Sequence, residues 1–304
     1  MQNPSFDPGL TQKFDGPLRR IINNDGGFNI RRVGTTWRDF HPYLHLINMG
    51  WAGFLGTLFF AYLFVNTLFA AAYFWLTPGQ LQGAAARDAI HGFWNDFFFS
   101  AHTLTTVGYG NISPAGLGAN ILASFEGLLG VLGFAVATGL LYGRVSRPSA
   151  RIGFSANAVV SPYQDGTSLQ FRVVNRRANS LMDLEARVLL MTVERNGADT
   201  RRSYSLLRLE RPGVLFLPLT WTIVHPIDQE SPLWGKTAQD LDRLQAELLI
   251  LLKGYDDTFN QTVIARYSYR HDELLWNARF APAFFVDPQG DLVLELRKVG
   301  ELAR

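Results

Sequence analysis

The most distinctive stretch of the chain, Thr105-Thr106-Val107-Gly108-Tyr109-Gly110, contains no acid, no base and no strong nucleophile. Any chemistry it performs belongs to the main chain. An ion entering a narrow pore must leave its water behind, and stacked rings of backbone carbonyls can replace those oxygens at matching distance, as suits potassium. Consecutive carbonyls point one way only if the backbone visits conformations that a side chain blocks, and Gly108 and Gly110 supply that freedom. On this reading residues 105–110 form a filter, with K+ held at Thr106, Val107, Gly108 and Tyr109. The Thr106 hydroxyl would add the innermost ring, and the Val107 and Tyr109 side chains would pack behind as spacers. One chain supplies one quarter of each ring, so the motif implies a homotetramer.

Such a segment needs elements to hold it at membrane depth. Residues 90–104 (IHGFWNDFFFSAHTL) are strongly aromatic and apolar. As a helix they extend about 22 Å, too short to span a bilayer. A re-entrant pore helix is the natural reading, with Asp88 as its cap and its negative C-terminal dipole facing the filter. Before it, residues 47–76 form one uncharged apolar run. As a helix that run rises about 45 Å, more than a hydrocarbon core requires. Trp51, Tyr73 and Trp75 near its ends suit interfacial belts. After the filter comes an inner helix at 116–145, whose apolar part carries a single charge, Glu126, among Gly127, Gly130, Gly133, Gly139 and Gly143. Small residues let helices approach closely in lipid, and Gly130 or Gly133 is a candidate hinge. Lys13, Arg19, Arg20, Arg31, Arg32 and Arg38 precede the first span, Arg144, Arg147 and Arg151 follow the second, and only Arg87 lies between. The positive-inside rule places both termini in the cytoplasm.

The 304 residues are 47% hydrophobic and 18% charged, but unevenly so: no charged side chain lies between Asp39 and Arg87, whereas charges recur every few residues from Arg144 onward. A net charge of +2 supplies no field for nucleic acid. Cysteine is absent, which excludes disulfides and thiolate metal sites. No short apolar leader follows a basic start. No Gly-x-Ser-x-Gly, His-Glu-x-x-His or phosphate loop occurs, and the His225 and Asp228 pair has no evident nucleophile or metal partner, so an enzyme is not expected. No cofactor is expected beyond the permeant K+.

From residue 149 the pattern changes to short alternating or β-branched runs, at 169–174, 186–193, 214–225, 248–252, 262–269 and 292–296. Asp165-Gly166, Asn196-Gly197, Pro212-Gly213 and Gln289-Gly290 mark turns between them. This reads as an antiparallel, immunoglobulin-like β-sandwich. Residues 239–249 are open between a short helix and a strand. The expected division is an irregular N-terminal segment (1–35), an amphipathic helix (36–46), a pore domain (47–148) and the cytoplasmic sandwich (149–304).

The chain resembles inward-rectifier potassium channels, in particular their bacterial KirBac branch. Besides the filter, the likeness rests on Asn23-Asn24-Asp25-Gly26 through Arg32-Val33-Gly34, on Leu141-Tyr142-Gly143-Arg144 through Arg147-Pro148, on Trp221 to Asp228 with Ser231-Pro232-Leu233, and on Asp272 to Trp276. It spans roughly residues 20–300. It implies a tetramer in a bacterial cell membrane, with cytoplasmic sandwiches continuing the pore. Trp37, Phe40, Leu44 and Ile47 form the apolar stripe of a helix lying on the inner membrane surface, with Pro42 tolerated in its first turn if Asp39 caps it.

Some positions depart from the family pattern. His102 stands where the family often has a carboxylate behind the filter, and Asn111 follows the filter in place of its arginine. His102 is then a filter support, open between contacting a neighbouring hydroxyl, titrating, or simply being a satisfied buried histidine. Phe134 aligns with the pore-lining acid of strong rectifiers. Glu126 has two open readings, a carboxylate lining the cavity with Gly130 or a strut that holds the pore helix. Phe134 and Tyr142 are candidates for hydrophobic constrictions that gate by dewetting, Tyr142 at the inner-helix crossing. Arg38, Arg144, Arg147 and Arg151 are candidates for contact with anionic phospholipid. Two rival readings are a potassium channel with an unrelated β domain and a membrane-tethered receptor.

Overall fold

The computed structural model describes residues 8–10, 20–84, 89–146, 151–196 and 199–303, with Trp37, Arg195, Asn196 and Asp199 described by backbone alone. The chain forms two compact units, one of residues 33–147 and one of residues 1–32 with 148–304.

The first unit opens with a short turn of 3-10 helix, Trp37–Asp39, followed by α1 (Pro42–Asn48) and α2 (Trp51–Leu76). One amphipathic helix over 36–46 is therefore not what forms. Proline disfavours helical backbone in the residue before it, and His41 is extended at φ −107 and ψ 98. Asp39 does not cap α1 either: its carboxylate accepts from the Thr36 amide at 2.8 Å and hydroxyl at 2.9 Å, closing the 3-10 turn. Pro42 sits at the start of α1, where its missing N–H costs nothing. Gly50 is likewise extended (φ −60, ψ 159), so the run at 47–76 breaks and the long helix begins at Trp51.

Next come β1 (Leu81–Gln82), α3 (Ala89–Leu104), β2 (Ser113–Pro114) and α4 (Leu117–Val145). Asp88, the expected cap of α3, lies outside the described residues. Both α2 and α4 are long and apolar enough to cross a membrane. The shorter α3 packs between them: Phe69 and Tyr73 of α2 and Phe99 of α3 form a buried cluster against Leu122 and Ala123 of α4. The Tyr73 and Phe99 rings meet edge to face at 5.1 Å.

The second unit is a β-sandwich. Its strands are β3 (Ile152–Phe154), β4 (Ala158–Tyr163), β5 (Gly166–Asn175), β6 (Leu181–Asn196), β7 (Asp199–Leu206), β8 (Gly213–Phe216), β9 (Thr220–Ile227), β10 (Glu247–Asp256), β11 (Gln261–Arg270), β12 (Leu274–Trp276), β13 (Phe284–Val286) and β14 (Leu292–Leu294), with α5 (Ala238–Arg243) before β10. One sheet runs β11-β10-β6-β7 with β8 on β6; the other runs β12-β4-β5-β3 with β9 on β5. Pairing is antiparallel except where β12 joins β4. Burial alternates along β9, and Leu248, Ile250 and Leu252 of β10 face the same core as Phe171, Trp221, Ile223 and Tyr269. That period of two is the reason 247–256 is strand rather than helix. Only 238–243 is helical, started by a capping box between Thr237 and Asp240.

The N-terminal segment is more ordered than its composition implies. Ile21 and Ile22 are buried against Met191, Val193, Tyr204 and Leu249. The Ile21 amide donates to the buried Glu247 carboxylate at 3.0 Å, and the Ser268 hydroxyl donates to the Ile22 carbonyl at 2.8 Å. Arg20 pairs with Glu273 at 2.6 Å. The expected irregular segment at 1–35 thus contains an anchored stretch. Its signal was the apolar pair between an arginine and a turn-forming Asn-Asp-Gly run.

His225 shows why the β unit needs no catalytic explanation. It is 3% exposed. Its Nδ1–H donates to the Arg208 carbonyl at 2.6 Å, and its Nε2 lies 2.7 Å from the Ser231 hydroxyl, which itself accepts from the Leu233 amide at 3.1 Å. A carbonyl can only accept, so Nδ1 carries a proton, and the ring pins the turn after β9. Burial holds its pKa below the ordinary 6.5. The unfolded chain therefore binds this proton more readily, and the contribution is full above pH 6.5 and lost as pH falls below it. Thermal unfolding of the full-length protein should show acid sensitivity in that range, and His225→Gln should reduce it.

Candidate functional site

The conformation of residues 105–110 alternates. Thr106, Gly108 and Gly110 have φ of 59, 54 and 79, while Thr105, Val107 and Tyr109 keep negative φ. Alternating left- and right-handed residues turn successive peptide units the same way, the arrangement that lines up groups of one polarity along one side. For Gly108 and Gly110 this is unstrained. For Thr106 it is not, because a β-branched residue in this region is an outlier that costs of the order of 1–3 kcal/mol. All six residues are exposed in the single subunit. No atom lies within 4 Å of where a Cβ would stand on Gly108 or Gly110, so the strand borders open space.

The C-terminus of α3 holds the start of this strand. The His102 carbonyl accepts from the Val107 amide at 2.9 Å and the Gly108 amide at 3.2 Å, and the Thr106 amide donates to the Thr103 carbonyl at 3.0 Å. The His102 ring meets the Tyr109 ring edge to face at 4.8 Å. His102 thus touches the strand at both ends. Beyond the filter, β1 pairs with β2, Leu81 opposite Pro114 and Gln82 opposite Ser113. Gln80 accepts from the Ala115 amide at 2.8 Å through its carbonyl and from the Ala119 amide at 3.1 Å through its side chain. These bonds tie the exit of the strand to the C-terminal end of α2.

Glu126, open between lining a cavity and holding the pore helix, and Gly130, a candidate for the pore lining, are both buried within the chain. Glu126 is 0% exposed. Its carboxyl receives the Tyr73 hydroxyl at 2.7 Å and bonds the Ser100 hydroxyl, which also contacts Asn66 Oδ1 at 3.0 Å. It faces α2 and α3 because every polar partner within reach is there. Gly130, one turn on, is buried too, and a Cβ there would overlap the Leu104 carbonyl. Its role is close approach of α4 to the end of the pore helix. Sequence reading missed Asn66, Tyr73 and Ser100 as a set. The available signal was Asn66 itself, an amide in the middle of an apolar span, where an unpaired polar group is expensive.

Farther along α4, Phe134 near its middle and Tyr142 near its end are 77% and 72% exposed. Arg144 is engaged elsewhere than expected. Its guanidinium donates to the carbonyls of Leu46 at 2.6 Å, Ile47 at 2.9 Å and Met49 at 2.8 Å, and it lies 4.8 Å from the Trp51 ring and 4.6 Å from the Phe54 ring. A cation on the last carbonyls of α1 satisfies groups that a helix end leaves bare. Arg144 is therefore a clamp between α4 and the α1–α2 turn rather than a free lipid contact. Arg144→Ala should lower the unfolding temperature equally in neutral detergent and in anionic lipid, whereas a headgroup ligand would matter only in the lipid. Arg38 and Arg151 are exposed. Arg147 lies outside the described residues.

Residues 54–147 match the family model described as ion channel, and residues 152–304 match that of the inward rectifier potassium channel C-terminal domain. The chain is 36% identical over 291 residues to the inward rectifier potassium channel Kirbac3.1 of Paramagnetospirillum magnetotacticum, covering 94% of this chain and 96% of that one. It is 29% identical over 311 residues to the G protein-activated inward rectifier potassium channel 3 of Mus musculus, covering 92% and 77%. Against the G protein-activated inward rectifier potassium channel 1 of Homo sapiens the identity is 27%, covering 94% and 62%.

Proposed function

The chain belongs to the inward rectifier potassium channel family, and from that premise we propose that four copies surround one axis and conduct K+ passively through residues 105–110. The observation that carries this reading is the alternation of positive φ at Thr106, Gly108 and Gly110 on a strand open to the outside of the subunit. Four such strands facing an axis stack rings of carbonyl oxygens, at Thr106 to Tyr109, that replace the water of a dehydrated K+. The negative end of α3, with its last carbonyls near the filter, favours a cation there. The exposed Val107 and Tyr109 side chains are what neighbouring copies would cover.

The gate in this reading lies at the inner-helix crossing at Tyr142, with Phe134 as a second constriction eight residues earlier on α4 and the cytoplasmic sandwich acting on it. Fourfold repetition of either ring makes an apolar constriction that dewets. The only acid in α4 is Glu126, and it is buried against Tyr73 of α2 and Ser100 of α3. That arrangement supports weak rather than strong block by intracellular polycations. Arg38 and Arg151, with Arg147, are the contacts proposed for anionic phospholipid. The excess of basic residues flanking the two spans supports a cytoplasmic location for both termini, in a bacterial cell membrane.

Reconstituted full-length protein should take up rubidium or potassium into liposomes and exclude sodium. Equal sodium and potassium flux would remove the selectivity, and the absence of flux in every lipid would remove the channel. Because the chain has no cysteine, single cysteines added near each terminus would report the orientation by their labelling with impermeant reagents.

A further inference from the structure

Glu126 sits among neutral groups, and their hydrogen bonds can be counted proton by proton. Asn66 Nδ2 donates to the Tyr62 carbonyl at 2.7 Å, which fixes Oδ1 as the atom facing Ser100 at 3.0 Å. The Ser100 hydroxyl therefore lies between two oxygens, Asn66 Oδ1 and Glu126 Oε1. It has one proton to give. If Glu126 were a carboxylate, one of these buried contacts would set lone pair against lone pair. Tyr73 cannot supply the missing proton, because its own hydroxyl proton is the donor to Oε2 at 2.7 Å. No cation is bonded to Glu126 among the described residues. The acid on α3, Asp96, stands one turn before Ser100 and is buried too, so it brings no cation to the site.

We propose that Glu126 is a positioning residue that works as a neutral acid: its Oε1–H donates to Ser100, Ser100 donates to Asn66, Asn66 donates to Tyr62, and Tyr73 donates back to Oε2. Each of these bonds then has one donor and one acceptor. The chain joins α4 to α3 and α2 through one group. Ser100 stands two residues before His102, whose carbonyl holds the Val107 and Gly108 amides. The pin therefore fixes the pore helix at the point where the filter strand hangs from it. A buried neutral network fully satisfied is rigid, whereas a lone charge at this depth is costly. The role in conduction rests on the filter reading above, and the protonation state does not.

The test has two arms on the full-length protein in bilayers. In the first, solid-state NMR of the 13C-labelled wild type reads the Glu126 side-chain carboxyl, assigned by its disappearance in E126Q or by sequential connectivity if that variant does not fold. The acid form is expected, and an ionised carboxylate at neutral pH would overturn the proposal. The second arm is ion flux. A glutamine reproduces both bonds, donating to Ser100 and accepting from Tyr73, so E126Q should keep potassium flux and its preference over sodium within about threefold. E126L leaves Ser100 and Tyr73 without the partner and should cut selective flux by about tenfold or more. Equal loss in E126Q and E126L would mean that the negative charge is required, contrary to the proposal. A wild type with no preference for potassium would sink the filter reading while leaving the NMR result standing.

Discussion

Replacing Gly108 by alanine is expected to abolish potassium-selective flux while the proposed tetramer stays assembled. Gly108 has φ +54, and nothing lies within 4 Å of the Cβ that alanine would add. The cost is therefore conformational rather than a collision. An L residue in the left-handed region costs about 1–2 kcal/mol. One copy would tolerate that. Four copies around one axis bear about 4–8 kcal/mol together, which disfavours the aligned ring by roughly three to six decades. The cheaper outcome is a turned peptide that takes its carbonyl off the axis. The turned peptide leaves the helices and the sandwich as they are, so the proposed tetramer should elute unchanged on size exclusion. Gly290→Ala is the control: it also has positive φ (+95), with open space around it, but it sits in the turn between β13 and β14. It should leave flux intact. Normal selectivity in Gly108→Ala would count against the assignment of residues 105–110 as filter.

The same comparison shows what sequence can and cannot carry. The unusual backbone at 108 and 110 is legible because glycine there has a conformational meaning that needs no neighbours. The two long helices were legible from length and apolarity alone. The left-handed Thr106 was not, because nothing about a threonine announces strain that the surrounding structure imposes. Spacing leaves Glu126 open between cavity and strut, because it gives a face but not which neighbour that face meets. Only the placement of Tyr73 and Ser100, far away in sequence, assigns it. Arg144 looked like one more cytoplasmic basic residue. Its engagement with the α1–α2 turn depends on the break at Gly50, which brings three carbonyls within its reach. The N-terminal anchor failed for the opposite reason. Its local composition signals a loop, and its order comes from Glu247, Ser268 and Glu273, more than 220 residues away.

Gly130→Ala is expected to be as damaging as the filter substitution, by another route. A Cβ at this position runs into the backbone carbonyl of Leu104, the last residue of α3. Backbone cannot swing aside as the end of a flexible side chain can. Either α4 moves off α3 or Leu104 is pushed toward the filter that begins at the next residue. Overpacking of this kind costs about 1–3 kcal/mol at one site. Four copies in the proposed tetramer would bear about 4–12 kcal/mol, at the start of residues 105–110. Loss of selective flux should therefore come with a lower unfolding temperature, since the helix contact itself is strained. Here the two substitutions part: Gly108→Ala should spare the unfolding temperature, and Gly130→Ala should not. Gly133→Ala separates close packing from helix flexibility, because nothing in the subunit lies within 4 Å of a Cβ there. If α4 needs a glycine to bend, Gly133→Ala should impair gating and leave the unfolding temperature alone. If Gly130→Ala left both flux and unfolding temperature unchanged, α4 and the end of the pore helix would not be in contact in the working channel, and the support assigned to the filter from this side would fall.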